Sequence, residues 1–287
     1  MCPAGDVNTS LTRVTDDTGE PTRDTPSLLS DAFPDDHELA AWLAESAGHR
    51  LLEVREEGLT GRELKDAGDL AAHELLMTLL AEHRPGDAVL SEEGKDDKVR
   101  LDSDRVWIVD PLDGTREFSE PPREDWAVHV ALWQAAGSGV PGDGELVAGA
   151  VALPAVGRTF STARPPVVAP STAPRPRIAV SRSRPPAFTD GLVAALGGET
   201  VAMGSAGAKV ISVVRDVTDA YVHAGGQYEW DSAAPVAVAR AAGLFTSRVD
   251  GSPLRYNQDD VYLPDLVVCR PELAERILAH LAEHGTD

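Results

Sequence analysis

Two carboxylates three residues apart, on a turn that follows an apolar run, are the strongest chemical signal in this sequence. The run lies in RVWIVDPLDGTREF at 105–118, which presents Asp110, Leu112, Asp113, Gly114 and Thr115 in quick succession. A strand that ends at Asp110, with Pro111 stopping its ladder, lets both carboxylates and the Leu112 carbonyl converge on one point. Hard divalent cations such as Mg²⁺ take oxygen ligands of this kind. The N–H groups after Gly114 would face outward at a helix start, a natural place for a phosphate. A strand closing on an Asp-Gly turn with solvated acids is the ordinary alternative, and the full Asp-Pro-Leu-Asp-Gly-Thr string argues against it.

Three further acidic elements follow the same pattern. Glu92 and Glu93 follow the short apolar run AVL and Ser91, Asp231 sits at the start of a helical pattern, and Asp69 opens another. Singly, each has a structural role available: a solvated loop for the glutamates and an N-cap for the aspartates. Together, four acidic elements on loops or helix starts after apolar runs point to a cluster of cations. Such a cluster can activate water, clamp a phosphate and stabilise a leaving oxygen. Lys209 falls in an apolar helical pattern, where an unpaired ammonium is costly unless it faces an anion or a cavity. It and Arg182, with the neighbouring Ser205, are candidates for holding a second phosphate. Tyr228, Tyr256 and Asn257 could line a base or sugar or pack in the core, and His73, His129 and His223 stand alone and are given no role.

The elements that must position these groups read as mixed α and β, with sheets covered by helices. Residues 1–33 read as a disordered leader. Helices are expected from Asp35 or Asp36 to Gly58 and from Asp69 to His83. Strands follow at 88–90, 106–109, 126–133, 144–153 and 157–163, completing an N-terminal α+β subdomain over 34–162. Five prolines in 163–176 suit neither a helix nor an inner strand and mark a connection. A C-terminal α/β subdomain over 177–287 then alternates strand and helix. It includes a helix from Asp231 to Gly243, a strand at 265–269 and a last helix with Pro271 at its first position.

Composition bounds the function. The 287 residues carry 26 Lys plus Arg against 47 Asp plus Glu, a formal charge of −21. That field repels polyanions and excludes a nucleic-acid polymer as partner, while a bound cation can still draw in a small anionic substrate. Two cysteines, Cys2 and Cys269, can build neither a disulfide framework nor a zinc site and fit a cytoplasmic setting. The N-terminus lacks the basic start and apolar run of a signal peptide. The longest stretch without charge, Trp126 to Gly142, holds too many polar residues for a membrane span.

Taken together, Asp69 with its following helix, LSEEG at 90–94, WIVDPLDGTREF at 107–118 and EWDSAAP at 229–235 resemble the inositol monophosphatase superfamily of Mg²⁺-dependent, lithium-sensitive phosphatases. The motifs extend from about residue 36 to the end, and Arg-Glu-Phe after the Asp-Gly-Thr is most similar to the CysQ branch. That branch removes the 3′-phosphate of adenosine 3′,5′-bisphosphate (PAP), and the sulfated precursor of PAP is a related substrate. The resemblance implies an αβαβα layered sandwich, a homodimer and two or three Mg²⁺ ions. It assigns Glu92, Asp110 and the Leu112 carbonyl to a first Mg²⁺, and Asp110, Asp113 and Asp231 to a second, with Glu92 reaching a third through waters. Thr115 backed by Asp69 would orient the water that attacks in line without a phosphoenzyme, and the N–H groups of Gly114 and Thr115 would hold the phosphate. The chain departs from the family's Val-Thr-x-x-Asp with Lys65-Asp66-Ala67-Gly68-Asp69, and from Gly-Ser-Ser-x-Lys with GSAGAK at 204–209.

Three other readings compete. The same fold could act on inositol 1-phosphate or fructose 1,6-bisphosphate. An aspartyl-phosphate phosphatase needs its acids two apart, not three, and a non-enzymatic Ca²⁺ protein would show an EF-hand loop, which is missing here.

Overall fold

The computed structural model describes residues 35–140 and 142–285, so the expected leader lies outside the described residues. The first helix, α1 (Asp36–Glu56), starts where Asp35 accepts a hydrogen bond from the His37 N–H at 2.7 Å. Leu39, Leu43, Ala47 and Leu51 recur every four residues and are fully buried, the spacing that places them on one helix face. Next comes α2 (Gly61–His83), which begins eight residues before Asp69. The expectation that Asp69 opens this helix is therefore corrected: it lies in the interior and cannot cap. Gly68, one residue earlier, is required by packing. A Cβ there would stand 2.6 Å from Phe118 Cε1 and 3.0 Å from Leu112 Cδ2.

Two five-stranded sheets follow. The first contains β1 (Ala88–Ser91), β2 (Arg105–Asp113), β3 (Ala127–Ala135), β4 (Gly144–Leu153) and β5 (Arg158–Ser161) in sequence order. The β1–β2 pair is parallel and the rest are antiparallel. Pro111 does not stop β2. Asp110 pairs with His129 and Asp113 with Ala127, so two residues of β2 oppose one of β3. A bulge of this kind is where an inner strand tolerates a residue without an N–H. The four-residue helix α3 (Thr115–Phe118) follows directly.

Residues 163–176, expected as a connection, run without regular structure between β5 of the first sheet and β6 (Arg177–Ser181) of the second. The chain continues through α4 (Thr189–Leu196), β7 (Glu199–Met203), α5 (Ala206–Val214), β8 (Ala220–Ala224), α6 (Glu229–Ala241), β9 (Phe245–Ser247), β10 (Asp265–Cys269) and α7 (Pro271–His284). The second sheet has the order β7-β6-β8-β10-β9. Its three-residue β9 was not anticipated, since so short a segment shows no alternation.

Alternation along β2 and β3 decides what lies on either side of the first sheet. Trp107, Val109, Val128, Val130 and Leu132 pack against α1 and α2. Val106, Ile108, Ala127, Ala131 and Trp133 face a layer made by α5 and α6. The second sheet covers the other side of that layer, and its far face packs under α4 and α7. The result is the expected αβαβα order.

Candidate active site

β2 carries the acids to the edge of the helical layer. Asp110 continues the parity of Val106 and Ile108, so its side chain faces α5 and α6 and is 1% exposed. The bulge brings Asp113 to the same side. Asp231 reaches it from the first turn of α6, which begins at Glu229 and not at Asp231. Its Oδ2 accepts the Tyr228 N–H at 2.8 Å, so the capping role and a place in the cluster coexist in one carboxylate. One oxygen from each of Asp110, Asp113 and Asp231 lies within 4.8 Å of the others. Glu92 joins from the end of β1, where its N–H bonds the Val109 carbonyl at 3.3 Å, and its side chain stands at the rim of the cluster.

Asp113 is the most firmly held of these groups. Ser205 Oγ donates to its Oδ2 at 2.5 Å, and the N–H groups of Ala206 and Gly207 donate at 3.1 and 2.6 Å. Burial alone would raise its pKa, but His129 and these donors outweigh burial and hold the carboxyl below its usual value. The other acids have no such relief. Burial, then repulsion from Glu92, Asp113 and Asp231, pushes Asp110 well above the carboxylate range. Burial and Asp113 push Asp231 up to about 7, and burial with the neighbouring acids also raises Glu92. Among the described residues, ion pairs to Asp110 and Asp113 come from His129, and none from Lys or Arg. A set of hard oxygens whose mutual repulsion is left uncompensated fits divalent cations such as Mg²⁺.

Gly114 adopts φ +85°, and a Cβ on it would stand 2.9 Å from Ser205 Cβ, so the turn after Asp113 requires glycine. It leads into Thr115, whose Oγ1 lies 3.4 Å from Asp69 Oδ1 and 3.2 Å from the Leu112 carbonyl. Burial and the charge of Glu93 raise Asp69 to about 7, against the opposing hydrogen bond from Thr115.

A cleft of about 800 Å³ opens from Asp113, Gly114 and Asp231 and runs along Ser205, Lys209, Arg184 and the Gly225–Gln227 turn. Lys209 lines it, nearly buried, with Nζ donating to the carbonyls of Gly204 and Ser205 and lying 5.1 Å from the Tyr221 ring. Burial lowers its pKa although nearby carboxylates oppose this. Arg182 is committed elsewhere, to Glu117 and to Glu120 at 3.1 Å. Arg184, two residues on, lines the cleft, and no side-chain partner holds it among the described residues. Tyr256 and Asn257 are buried and point away: Tyr256 bonds Ser232 Oγ, and Asn257 holds Arg100. Tyr228 is exposed and stacks on Trp230.

The histidines set aside at the level of sequence are not alone. His73 Nδ1 lies 3.0 Å from Ser91 Oγ, and His223 Nε2 lies 2.6 Å from the Gly225 carbonyl. His129 is fully buried against Asp113. It was the one polar side chain on its face of an otherwise apolar strand, and that was the available signal.

Comparison with known proteins agrees with this geometry. The model of the inositol monophosphatase family matches residues 37–286. A protein named 3′-phosphoadenosine 5′-phosphate phosphatase from Mycobacterium leprae is 53% identical over 267 residues, 91% of this chain and 97% of its own length. The 3′(2′),5′-bisphosphate nucleotidase CysQ of Escherichia coli is 32% identical over 209 residues, 69% of this chain and 81% of that one. The crystal structure of CysQ from Bacteroides thetaiotaomicron superposes with a TM-score of 0.68 at 28% identity, covering 84% of this chain and 99% of the other. Inositol monophosphatase II from Staphylococcus aureus shares the fold with a TM-score of 0.71 at 22% identity, covering 86% and 93%. The chain belongs to the inositol monophosphatase family, whose members are metal-dependent phosphatases.

Proposed function

We propose that this phosphatase removes the 3′-phosphate of PAP, yielding AMP and inorganic phosphate. The observation that carries this reading is the cleft. One end is the acidic cluster, and the wall beyond it offers Lys209 and Arg184, which no side chain holds among the described residues, a place for a second anionic group on the same small molecule. The names of the relatives from Mycobacterium leprae and Escherichia coli support the same substrate class.

Glu92, Asp110, the Leu112 carbonyl, Asp113 and Asp231 would hold two or three Mg²⁺ ions. Bound there, the ions would offset the phosphate's charge and acidify the attacking water. Thr115 Oγ1 has one hydrogen. Donated to Asp69, it leaves lone pairs that accept a hydrogen bond from water and aim the water oxygen at phosphorus. Asp69, raised to about 7, is poised to take up a proton near neutral pH. The N–H groups of Gly114 and Thr115 would hold the phosphate, and Ser205 would serve the site by fixing Asp113. Water forms the new P–O bond as the 3′-oxygen bond breaks, with no phosphoenzyme.

No described helix is long and apolar enough to cross a membrane. A cytoplasmic homodimer completes the proposal, and the buried free thiol of Cys269 suits a reducing compartment. Phosphate release from PAP, inositol 1-phosphate and fructose 1,6-bisphosphate, measured side by side with Mg²⁺ and with or without lithium, tests it. Strong preference for PAP with lithium inhibition is expected. Equal or faster turnover of the sugar phosphates would overturn the substrate while leaving the phosphatase chemistry in place.

A further inference from the structure

His129 is a polar residue where every neighbour on its strand face is apolar. It lies opposite Asp110 in the β2–β3 register and projects into the layer formed by α5 and α6. Its ring touches three elements at once. Nδ1 lies 3.0 Å from the carbonyl of Trp230, the residue before Asp231. A carbonyl cannot donate, so Nδ1 carries the hydrogen. Nε2 lies 3.2 Å from Asp113 Oδ2, too oblique for an aligned hydrogen bond, and has no other partner among the described residues. Nδ1 is also 3.9 Å from Asp110 Oδ2. The ring is wedged in place: a Cβ on Gly207, in the first turn of α5, would stand 2.0 Å from Nε2.

From this geometry we infer that His129 is a positioning residue, a strut that sets the spacing between Asp113 and the start of α6 that carries Asp231. The inference rests on reading Asp110, Asp113 and Asp231 as cation ligands. Asp113 is anchored to α5 by three donors of its own and stays put without the ring. Asp231 is tied within its own turn, to the Tyr228 N–H, and the His129 ring links that turn to Asp113 on the neighbouring strand, so removing the ring loosens the spacing between the two carboxylates. Loss of a group that orients metal ligands costs about 10–100-fold in metal affinity.

The test is Mn²⁺ binding by calorimetry to the full chain after dialysis against EDTA, alongside melting of the metal-free protein. His129→Ala should raise the Mn²⁺ Kd about 10–100-fold. The double variant His129→Ala/Gly207→Ala places a methyl in the vacated space, and the three atoms nearest to that methyl all belong to the lost ring. It should regain melting temperature but not Mn²⁺ affinity. If His129→Ala does not fold, the double variant alone carries the test. Unchanged affinity in either variant, or affinity that returns with packing in the double variant, overturns the strut. A wild-type protein that takes up no Mn²⁺ overturns the cation-site reading, and the strut with it.

Discussion

Gly68→Ala sets two effects of known sign against each other inside α2. Replacing glycine in a helix interior by alanine gains about 0.5–1 kcal/mol of backbone propensity. The new methyl would stand 2.6 Å from Phe118 Cε1 and 3.0 Å from Leu112 Cδ2, about 1 Å inside ordinary contact for the closer atom. Phe118 cannot swing aside. It is fully buried, packs edge-on against Trp126 at 5.1 Å and lies under the Arg55 guanidinium at 5.3 Å. Overpacking of this kind costs about 1–3 kcal/mol, so the net change is a loss of about 0–2.5 kcal/mol. At about 2–4 °C per kcal/mol the melting temperature falls by no more than about 10 °C. The larger effect is on rate. The helix must retreat from the Leu112 turn by about 1 Å and take Asp69 with it. The 3.4 Å contact between Asp69 and Thr115 then opens. A misplacement of that size costs about 100-fold in kcat. Steady-state kinetics on PAP with saturating Mg²⁺, paired with thermal melting, reads both quantities. Gly68→Ala/Phe118→Leu, which clears the space, should recover most of the rate. A Gly68→Ala protein more stable than wild type with unchanged kcat would refute the close-approach argument.

Three further outcomes are expected. Arg184→Gln should raise KM for PAP about tenfold, the loss of one exposed charge-assisted contact, with kcat nearly unchanged and adenosine 3′-monophosphate unaffected; equal effects on both substrates would remove Arg184 from second-phosphate recognition. Asp219, where burial is outweighed by Arg177 and its other donors, is held at about 2. Its folded value lies below the ordinary 3.8, so its contribution is present above about pH 4 and is lost as pH falls toward 2; acid unfolding of Asp219→Asn should lack that part of the slope. Mg²⁺ at about 100 times its Kd should stabilise the EDTA-treated protein by about 2.7 kcal/mol, seen as a rise in melting temperature that EDTA reverses; no rise would contradict a cation site built from Asp110, Asp113 and Asp231.

The acidic cluster and most elements were legible in the linear order of residues because their chemistry is local. Asp110, Leu112, Asp113 and Thr115 share one strand end and its bulge, and the amphipathic patterns that deliver Glu92 and Asp231 need only near neighbours. Where local signals misled, packing had overruled them. Asp69 looked like a helix start and lies in the helix interior, beside a glycine that packs on Phe118, and Pro111 looked like a strand end and sits in a bulge.

The sequence by itself therefore determined the class of chemistry: oxygen ligands, at spacings that suit a hard cation, ahead of a phosphate-sized turn. Tertiary structure decided how those ligands are held and which cations remain free for a substrate. Ser205 reaches Asp113 across 92 residues and Arg182 is claimed by Glu117 across 65, leaving Arg184 to face the cleft. His129 meets Asp113 and the Trp230 carbonyl only because the β2–β3 register and α6 converge there. Partnerships between groups so distant in the chain depend on sheet register and layer packing, which no local pattern of residues encodes.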